Sequence, residues 1–167
     1  EVPFELHGPN GFFHHLEQRL ARRGHAVICV AEGAGQDILV EDPAKQGRDA
    51  SGNIKLADIG LYLRDAINEY FRGRNIPVSL KYIDPSYMIR SAPANPNDAL
   101  FCALLGQYAV HAGMAGKTDM IVGQWNNIFT HIPISVVTSK RNQINPHSRL
   151  WFNVLEATGQ PADMTNG

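Results

Sequence analysis

The segment His25-Ala-Val-Ile-Cys-Val-Ala-Glu-Gly-Ala-Gly-Gln36 carries most of the information about the fold class. Its first seven residues are almost all apolar, which is typical of a strand that is buried on both faces. Val78–Ile83 and Asp119–Gly123 predict two further strands, and helical patterns separate the three. Because strands and helices alternate, we predict an α/β fold, namely a three-layer sandwich with a mainly parallel sheet.

Four segments have the spacing of apolar residues that predicts an α-helix. Asn10 is the predicted N-cap of the first helix, and Gly24 is its predicted stop. Either Asn95 or Asn97 starts the third helix, which is apolar on nearly all sides and is therefore predicted to lie between two layers. The first helix is predicted between Asn10 and Gly24, with Phe12, Phe13, Leu16 and Leu20 at helical spacing. The other predicted ranges are Ile54–Phe71, Ala99–Ala115 and Ser148–Thr158.

Two connecting segments have recognisable turn or loop chemistry. Asn126-Asn127 predicts a tight turn that folds Ile128–Ile132 back on the preceding strand as a hairpin. Residues 33–53 are polar and predict a long loop.

Composition limits the class of protein. The 167 residues, 44% of them apolar and 19% charged, predict one globular domain over residues 1–167. A net charge of -1 gives no basic field for nucleic acid, and no apolar run is long enough for a membrane span, so neither partner is expected. Cys29 and Cys102 lie in apolar surroundings and are predicted to be buried, reduced thiols, which favours a cytoplasmic location.

Motifs for metal or nucleotide binding are absent from the sequence. The seven histidines form no pair with metal-ligand spacing, and Gly33-Ala-Gly35 lacks the third glycine of a dinucleotide fingerprint. No Walker-type or kinase-type ATP motif occurs either. We therefore assign no catalytic, cofactor-binding or metal-binding residue in this chain.

Four residues are candidates for binding a small polyhydroxylated anion. Glu32 can accept hydrogen bonds from sugar hydroxyls, or it can bond a nearby turn, because a buried carboxylate needs a donor. Arg90 offers a planar fork to a phosphate, with a surface position or an ion pair as the alternative. Tyr87 can donate to the same group. Lys81 is a lone cation on a predicted strand, for which simple exposure is the alternative.

Four blocks of the sequence, in this order, resemble consecutive blocks of the 6-phosphofructokinases. The resemblance is closest to the ATP-dependent, plant-like and bacterial branch that is related to the pyrophosphate-dependent enzymes. It covers nearly the whole chain, about Glu1 to Pro161. The blocks are Val30-Ala-Glu-Gly-Ala-Gly-Gln36, Ser51-Gly-Asn-Ile-Lys-Leu-Ala-Asp-Ile-Gly60, Lys81–Asn95 and Val110–Asp119.

This resemblance implies functions for the four candidates. Glu32 matches the family's glutamate that contacts fructose 6-phosphate, and Tyr87 and Arg90 match the Tyr-x-x-Arg that binds the sugar phosphate. Lys81 matches a basic residue that reaches the substrate of a neighbouring subunit. The implied activity is phosphorylation of the 1-hydroxyl to fructose 1,6-bisphosphate in glycolysis, with ATP rather than pyrophosphate as donor.

The resemblance also implies that part of the enzyme is missing. The family's Gly-Gly-Asp-Gly-Thr and Thr-Ile-Asp-Asn-Asp strings, which serve the nucleotide and the catalytic base, do not occur here. We expect one lobe of a two-lobe fold, the carboxyl-terminal substrate-binding portion, inactive alone. Mg²⁺ and ATP would be bound mainly by the missing lobe, and the complete enzyme would be a homo-oligomer. The alternative is a non-catalytic sugar-phosphate or effector-binding module that regulates a partner.

Overall fold

A computed structural model describes residues 2–40, 47, 48, 50, 52, 54–140 and 142–167. The described elements in chain order are α1 (Phe12–Arg23), α2 (Gln36–Leu39), α3 (Ile59–Gly73), α4 (Ser86–Ser91), α5 (Pro96–Met114), β1 (Met120–Trp125), β2 (Ile128–Pro133), α6 (Ile134–Val137) and α7 (Arg149–Thr158). They fall into two compact units. Unit 1 is Glu1–Ile83 with Gln143–Gly167, and unit 2 is Asp84–Asn142.

The core of unit 1 forms between α1 and α3. Apolar residues recur every three or four positions on both helices, so each helix has one apolar face. Phe71 is fully buried and Phe13 is 2% exposed, and the Phe13 ring stacks on Tyr70 with centroids 4.4 Å apart. The buried cluster contains Leu6, Phe13, Leu16, Ile59, Leu63, Ile67 and Phe71.

Helix α1 ends where we predicted but begins differently. Gly24 has φ 70° and donates its N–H to the Leu20 carbonyl, so the predicted glycine stop is confirmed. The N-cap is Gly11, and no side chain caps the helix, so the predicted cap at Asn10 is wrong. The Asn10 amide instead donates to the carbonyls of Asp163 and Thr165, at 3.2 and 2.8 Å.

Helix α3 confirms the predicted apolar stripe with a later start. Asp58 is its N-cap and accepts a hydrogen bond from the Leu61 N–H, so the helix begins at Ile59 rather than Ile54. Helix α2 lies inside the predicted loop 33–53, of which residues 41–46, 49, 51 and 53 are outside the described residues.

Two of the three predicted strands are not strands in the structure. Residues 25–31 and 78–83 are all described, and none of them belongs to a strand. Ala26, Val30, Val78 and Leu80 pack on the helical core, while Val27 is 85% exposed. Each segment is therefore covered on one side only, and the burial on both faces that we predicted for residues 25–31 is not found.

The described residues contain one sheet, with two antiparallel strands. Trp125 pairs with Ile128 across a two-residue turn, in which Asn126 and Asn127 have φ of 46° and 65°. Positive φ at both positions is what a type I′ hairpin turn requires, so the predicted Asn-Asn hairpin is confirmed. The chain is thus a mixed α/β protein, but the three-layer sandwich with a parallel sheet is not shown.

Helix α5 packs on this hairpin within unit 2. Asn95 is its N-cap and accepts from the Asp98 N–H at 2.9 Å, which decides between the two predicted starts. Phe101 and Tyr108 stack on Phe129, with centroids 5.9 and 4.6 Å apart.

The predicted burial of α5 between two layers is wrong for the part of the chain that the structure describes. Ala112 is the buried residue of α5, whereas Val110 is 65% and Met114 84% exposed. The predicted burial of Cys29 and Cys102 is likewise wrong, since both thiols are free and exposed. Among the helices of the described residues, none combines the length and apolar character that crossing a membrane requires.

Candidate functional site

Glu32 lies in a tight turn, residues 31–35, that is held against the core of unit 1. The Ala34 N–H donates to the Ala31 carbonyl at 3.0 Å, and Ala34 is buried, with 7% exposure. Burial of Ala34 directs the turn inward, while Glu32 itself is exposed. The turn thus presents the carboxylate to solvent.

Gly35 explains why this turn packs so closely. It has φ 60°, a conformation in which glycine is strongly favoured over other residues. A Cβ at this position would lie 2.8 Å from the Ile59 Cδ1 atom and 3.3 Å from the Phe4 ring. A larger residue at position 35 would therefore need both a strained backbone and a shift of the Ile59 side chain.

The side chain of Gln36 connects the turn to α3. Its Nε2 donates to the carbonyls of Glu32 and Ala57, at 2.9 and 3.0 Å. Its Oε1 accepts from the Ala57 N–H at 3.0 Å. Our sequence reasoning missed this residue, although a glutamine directly after the Gly-Ala-Gly turn was an available signal.

The Glu32 carboxylate has no hydrogen bond or ion pair within the described residues of unit 1. The structural alternative, a bond from this carboxylate to a nearby turn, is therefore not found there. Our reason for expecting a partner, burial of the charge, does not apply because Glu32 is exposed. The carboxylate oxygens remain available to accept hydrogen bonds from a ligand.

Lys81 lies in unit 1, between two residues that anchor its backbone. Leu80 packs on the core, and the Tyr82 ring covers Gly60 at the start of α3, where a Cβ would lie 2.6 Å from Tyr82 Cε2. Lys81 itself is exposed. The structure agrees with the simple exposure that we left open for this residue, and its role as a substrate contact stays a prediction.

Tyr87 and Arg90 lie in unit 2, on the short helix α4. Most of the segment between Pro85 and Pro93 is helical. Positions three apart on a helix share one face, so the two side chains are neighbours there. Tyr87 is 81% exposed, and Arg90 is also exposed.

Asp84 stabilises the start of this helix. Its Oδ1 accepts a hydrogen bond from the Ser86 N–H at 3.0 Å. That bond, then a bond from the Ser86 side chain, and the positive charge of Arg90 lower the pKa of the Asp84 carboxyl. The carboxylate therefore stays ionised beside Arg90, and it belongs to the backbone support of α4.

The four candidates are divided between the units. Glu32 and Lys81 belong to unit 1, whereas Tyr87 and Arg90 belong to unit 2. Among the described residues no group of three or more His, Cys, Asp or Glu could hold a metal ion. An open cleft of about 660 Å³ in unit 1 includes none of the four, and its lining consists of Asn68, Arg72, Asn75, Ile76, Pro77 and Val78.

Comparison with curated proteins finds close relatives over nearly the whole chain. The ATP-dependent 6-phosphofructokinase of Borreliella burgdorferi is 52% identical over 172 residues, 99% of this chain and 38% of the relative. That of Amycolatopsis methanolica is 46% identical, over 98% of this chain and 36% of the relative. The ATP-dependent 6-phosphofructokinase 5, chloroplastic, of Arabidopsis thaliana is 47% identical, over 96% of this chain and 29% of the relative.

The matched region is only part of each relative. The chain spans between 29% and 38% of the length of these three proteins. No protein-family model matches the sequence.

Proposed function

From the premise that this chain belongs to the ATP-dependent 6-phosphofructokinase family, we propose that it supplies the fructose 6-phosphate-binding part of such an enzyme. The observation that carries this proposal is 52% identity over 99% of the chain. The complete enzyme would phosphorylate the 1-hydroxyl of fructose 6-phosphate. The chain by itself, a single substrate-binding lobe over residues 1–167, would bind the sugar phosphate without transferring a phosphoryl group.

The 6-phosphate is the proposed ligand of Tyr87 and Arg90. A guanidinium can bind two phosphate oxygens at once, and a phenol can donate to a third. The position of both side chains on one exposed face of α4 supports this function. We propose that Lys81 places its positive charge near the substrate of a neighbouring subunit, as the matching basic residue does in the family.

The sugar hydroxyls are the proposed ligands of Glu32. Among the described residues of unit 1 its carboxylate accepts no bond, and it is held on a turn in which Gly35 adopts φ 60° close to the Ile59 side chain. A carboxylate with free acceptor sites on a supported turn can bind hydroxyl donors without first breaking an internal bond.

ATP and Mg²⁺ are proposed to bind mainly to parts of the complete enzyme outside this sequence. The relatives are named ATP-dependent, yet the sequence lacks a nucleotide motif. The described residues also lack a cluster of three potential metal ligands. The sequence and the described side chains therefore do not fit ATP or Mg²⁺.

The arrangement of strands and layers in the complete protein is also a proposal. We propose that residues 25–31 and 78–83 become strands of a mainly parallel sheet in a three-layer lobe of the complete protein. Their one-sided packing on the helical core supports this, because Val27 and Ile83 leave a second side 85% and 66% exposed. A homo-oligomer and a cytoplasmic location stay predictions as well, and one relative is named chloroplastic.

A calorimetric titration of the chain with fructose 6-phosphate tests the proposal. We expect Arg90→Ala to weaken binding at least tenfold, about 1.4 kcal/mol, because a charged hydrogen-bonded pair is lost. Arg90→Lys keeps the positive charge but not the planar fork of the guanidinium, so its affinity should lie between those of the wild type and Arg90→Ala. Met88→Ala, on the same helix, is the matched control and should bind like the wild type.

Two results would contradict the proposal. Unchanged affinity of Arg90→Ala would remove Arg90 from the phosphate site. A folded wild-type chain that does not bind fructose 6-phosphate at all would show that this chain holds no preformed substrate site.

A further inference from the structure

We infer that Gln36 is the positioning residue that orients Glu32 for its ligand. The inference rests on the proposed function, in which the Glu32 carboxylate binds sugar hydroxyls. It is carried by three hydrogen bonds of one side-chain amide, to the carbonyl of Glu32 and to both backbone groups of Ala57.

The Gln36 amide uses all of its hydrogens. Its Nε2 carries two, and these go to the carbonyls of Glu32 and Ala57, at 2.9 and 3.0 Å. Its Oε1 accepts the Ala57 N–H at 3.0 Å. No other common side chain of this length offers two donors and an acceptor in one plane. A carboxylate would lose both donated bonds, and an aliphatic side chain would lose all three.

The bond to the Glu32 carbonyl restrains the part of the turn that most needs support. That carbonyl belongs to the peptide group between Glu32 and Gly33. Holding it restrains the ψ angle of Glu32, and so the backbone geometry at the Cα atom that carries the Glu32 side chain. Gly33 and Gly35 both have wide backbone freedom, and a turn with two glycines is not rigid by itself. The hydrogen bond from Gln36 to the Glu32 carbonyl therefore restricts the motion of a turn that is otherwise flexible.

At Ala57 the Gln36 side chain is bonded to the segment that leads into α3. Ala57 precedes Asp58, the N-cap of α3, and Ile59 on the next position is 3% exposed in the core. Two of the three Gln36 bonds reach Ala57 and the third reaches the Glu32 carbonyl, so this one side chain links the turn to the residues before α3. Functional side chains hold their geometry when a packed element supports them through such bonds.

The inference can be tested on the free chain by NMR. In Gln36→Leu we expect the Gly33 amide order parameter to fall and the Ala57 N–H to lose protection from exchange. Gln36→Glu keeps the acceptor, so Ala57 should stay protected while Gly33 becomes mobile. Gln18→Leu, which removes an exposed glutamine side chain bonded to His14 on α1, is the matched control and should change neither signal.

A double-mutant cycle with fructose 6-phosphate tests the link to Glu32. We expect Gln36→Leu and Gln36→Glu each to weaken binding by about threefold to tenfold, the effect of losing ordinary hydrogen bonds. In a Glu32→Gln background the same changes should add less than about twofold, because residues that act through each other are not additive.

The possible failures are distinguishable. An unchanged Gly33 order parameter in both Gln36 variants overturns the inference whether or not sugar phosphate binds. Equal losses of affinity in the two backgrounds overturn it too, since Gln36 would then act independently of Glu32. If Glu32→Gln binds like the wild type while Arg90→Ala does not, Glu32 does not contribute to binding the sugar. The inference that Gln36 orients Glu32 for this ligand then fails as well.

Discussion

The ring of Tyr82 occupies the space in which a side chain on Gly60 would begin. A Cβ on Gly60 would lie 2.6 Å from Tyr82 Cε2 and 2.8 Å from its Oη atom. Gly60 is in the first turn of α3, so the contact holds the segment that carries Lys81 against the start of that helix.

The first prediction follows from this contact. Alanine is favoured over glycine inside a helix by up to about 1 kcal/mol, but in Gly60→Ala the clash with Tyr82 should cancel that gain or reverse it. In a Tyr82→Ala background the same substitution should be stabilising. Urea unfolding of the four proteins measures the difference. If Gly60→Ala is more stable than the wild type by the full helix-propensity difference of about 1 kcal/mol, the Tyr82 ring moves away freely.

The turn that carries Glu32 gives the second prediction. Gly35→Ala should lower the free energy of unfolding by more than about 1–2 kcal/mol, the range for a left-handed alanine alone, because its Cβ would also meet Ile59 Cδ1 at 2.8 Å. Gly24→Ala is the matched control, with φ 70° and no atom within 4 Å of the new Cβ. Equal losses in the two variants would show that the Ile59 contact adds nothing.

The start of α5 gives the third prediction. Asn95→Ala should destabilise unit 2 by about 1 kcal/mol, because the Asn95 side chain caps the Asp98 N–H. Asn97→Ala removes the other asparagine that the sequence allowed as a cap and should have little effect. Helical circular dichroism and urea unfolding check both. A larger effect at Asn97 would place the cap there instead.

Tyr70 gives the fourth prediction, a loss of stability at high pH. Burial, then the hydrogen bond from its hydroxyl to Glu17, 3.0 Å long, raises the pKa of Tyr70 above its ordinary value. A group whose folded pKa is raised contributes stability that is complete below the unfolded pKa, about 10 for tyrosine, and is lost as the pH rises through the folded pKa.

Urea unfolding at about pH 8 and about pH 11 measures this loss. In Tyr70→Phe the decrease between the two pH values should be smaller than in the wild type, because the shifted group is absent. An equal decrease in both proteins would mean that Tyr70 titrates no differently in the folded and unfolded chain.

Local sequence patterns predicted the helices and the hairpin well. Gly24 as a stop and Asn126-Asn127 as a turn are confirmed, because each depends on the backbone preferences of adjacent residues. The last helix, predicted as Ser148–Thr158, is Arg149–Thr158, and Ser148 is its N-cap. Asn10 was misassigned as a cap, since its amide bonds residues 163 and 165, more than 150 positions away. No local pattern encodes such a partner.

The candidate residues Glu32, Tyr87, Arg90 and Lys81 came from residue type and resemblance, and their functions stay predictions. Their surroundings could not be predicted in the same way. The pairing of Tyr87 with Arg90 depends on the short helix α4, which the sequence pattern did not indicate. The hydrogen bonds from Gln36 to Ala57 join segments 21 positions apart, and no local pattern encodes them.

The amino-acid sequence was thus sufficient for features that depend on neighbouring residues, namely the glycine stop of α1, the Asn-Asn turn and the apolar stripe of α3. The conformation of residues 25–31 and 78–83 was not accessible in that way. An apolar run becomes a strand only where another strand supplies its hydrogen bonds, and becomes buried only where a second layer covers it. In the described chain these runs meet the helical core on one side and solvent on the other, so their shape follows from packing rather than from local preference.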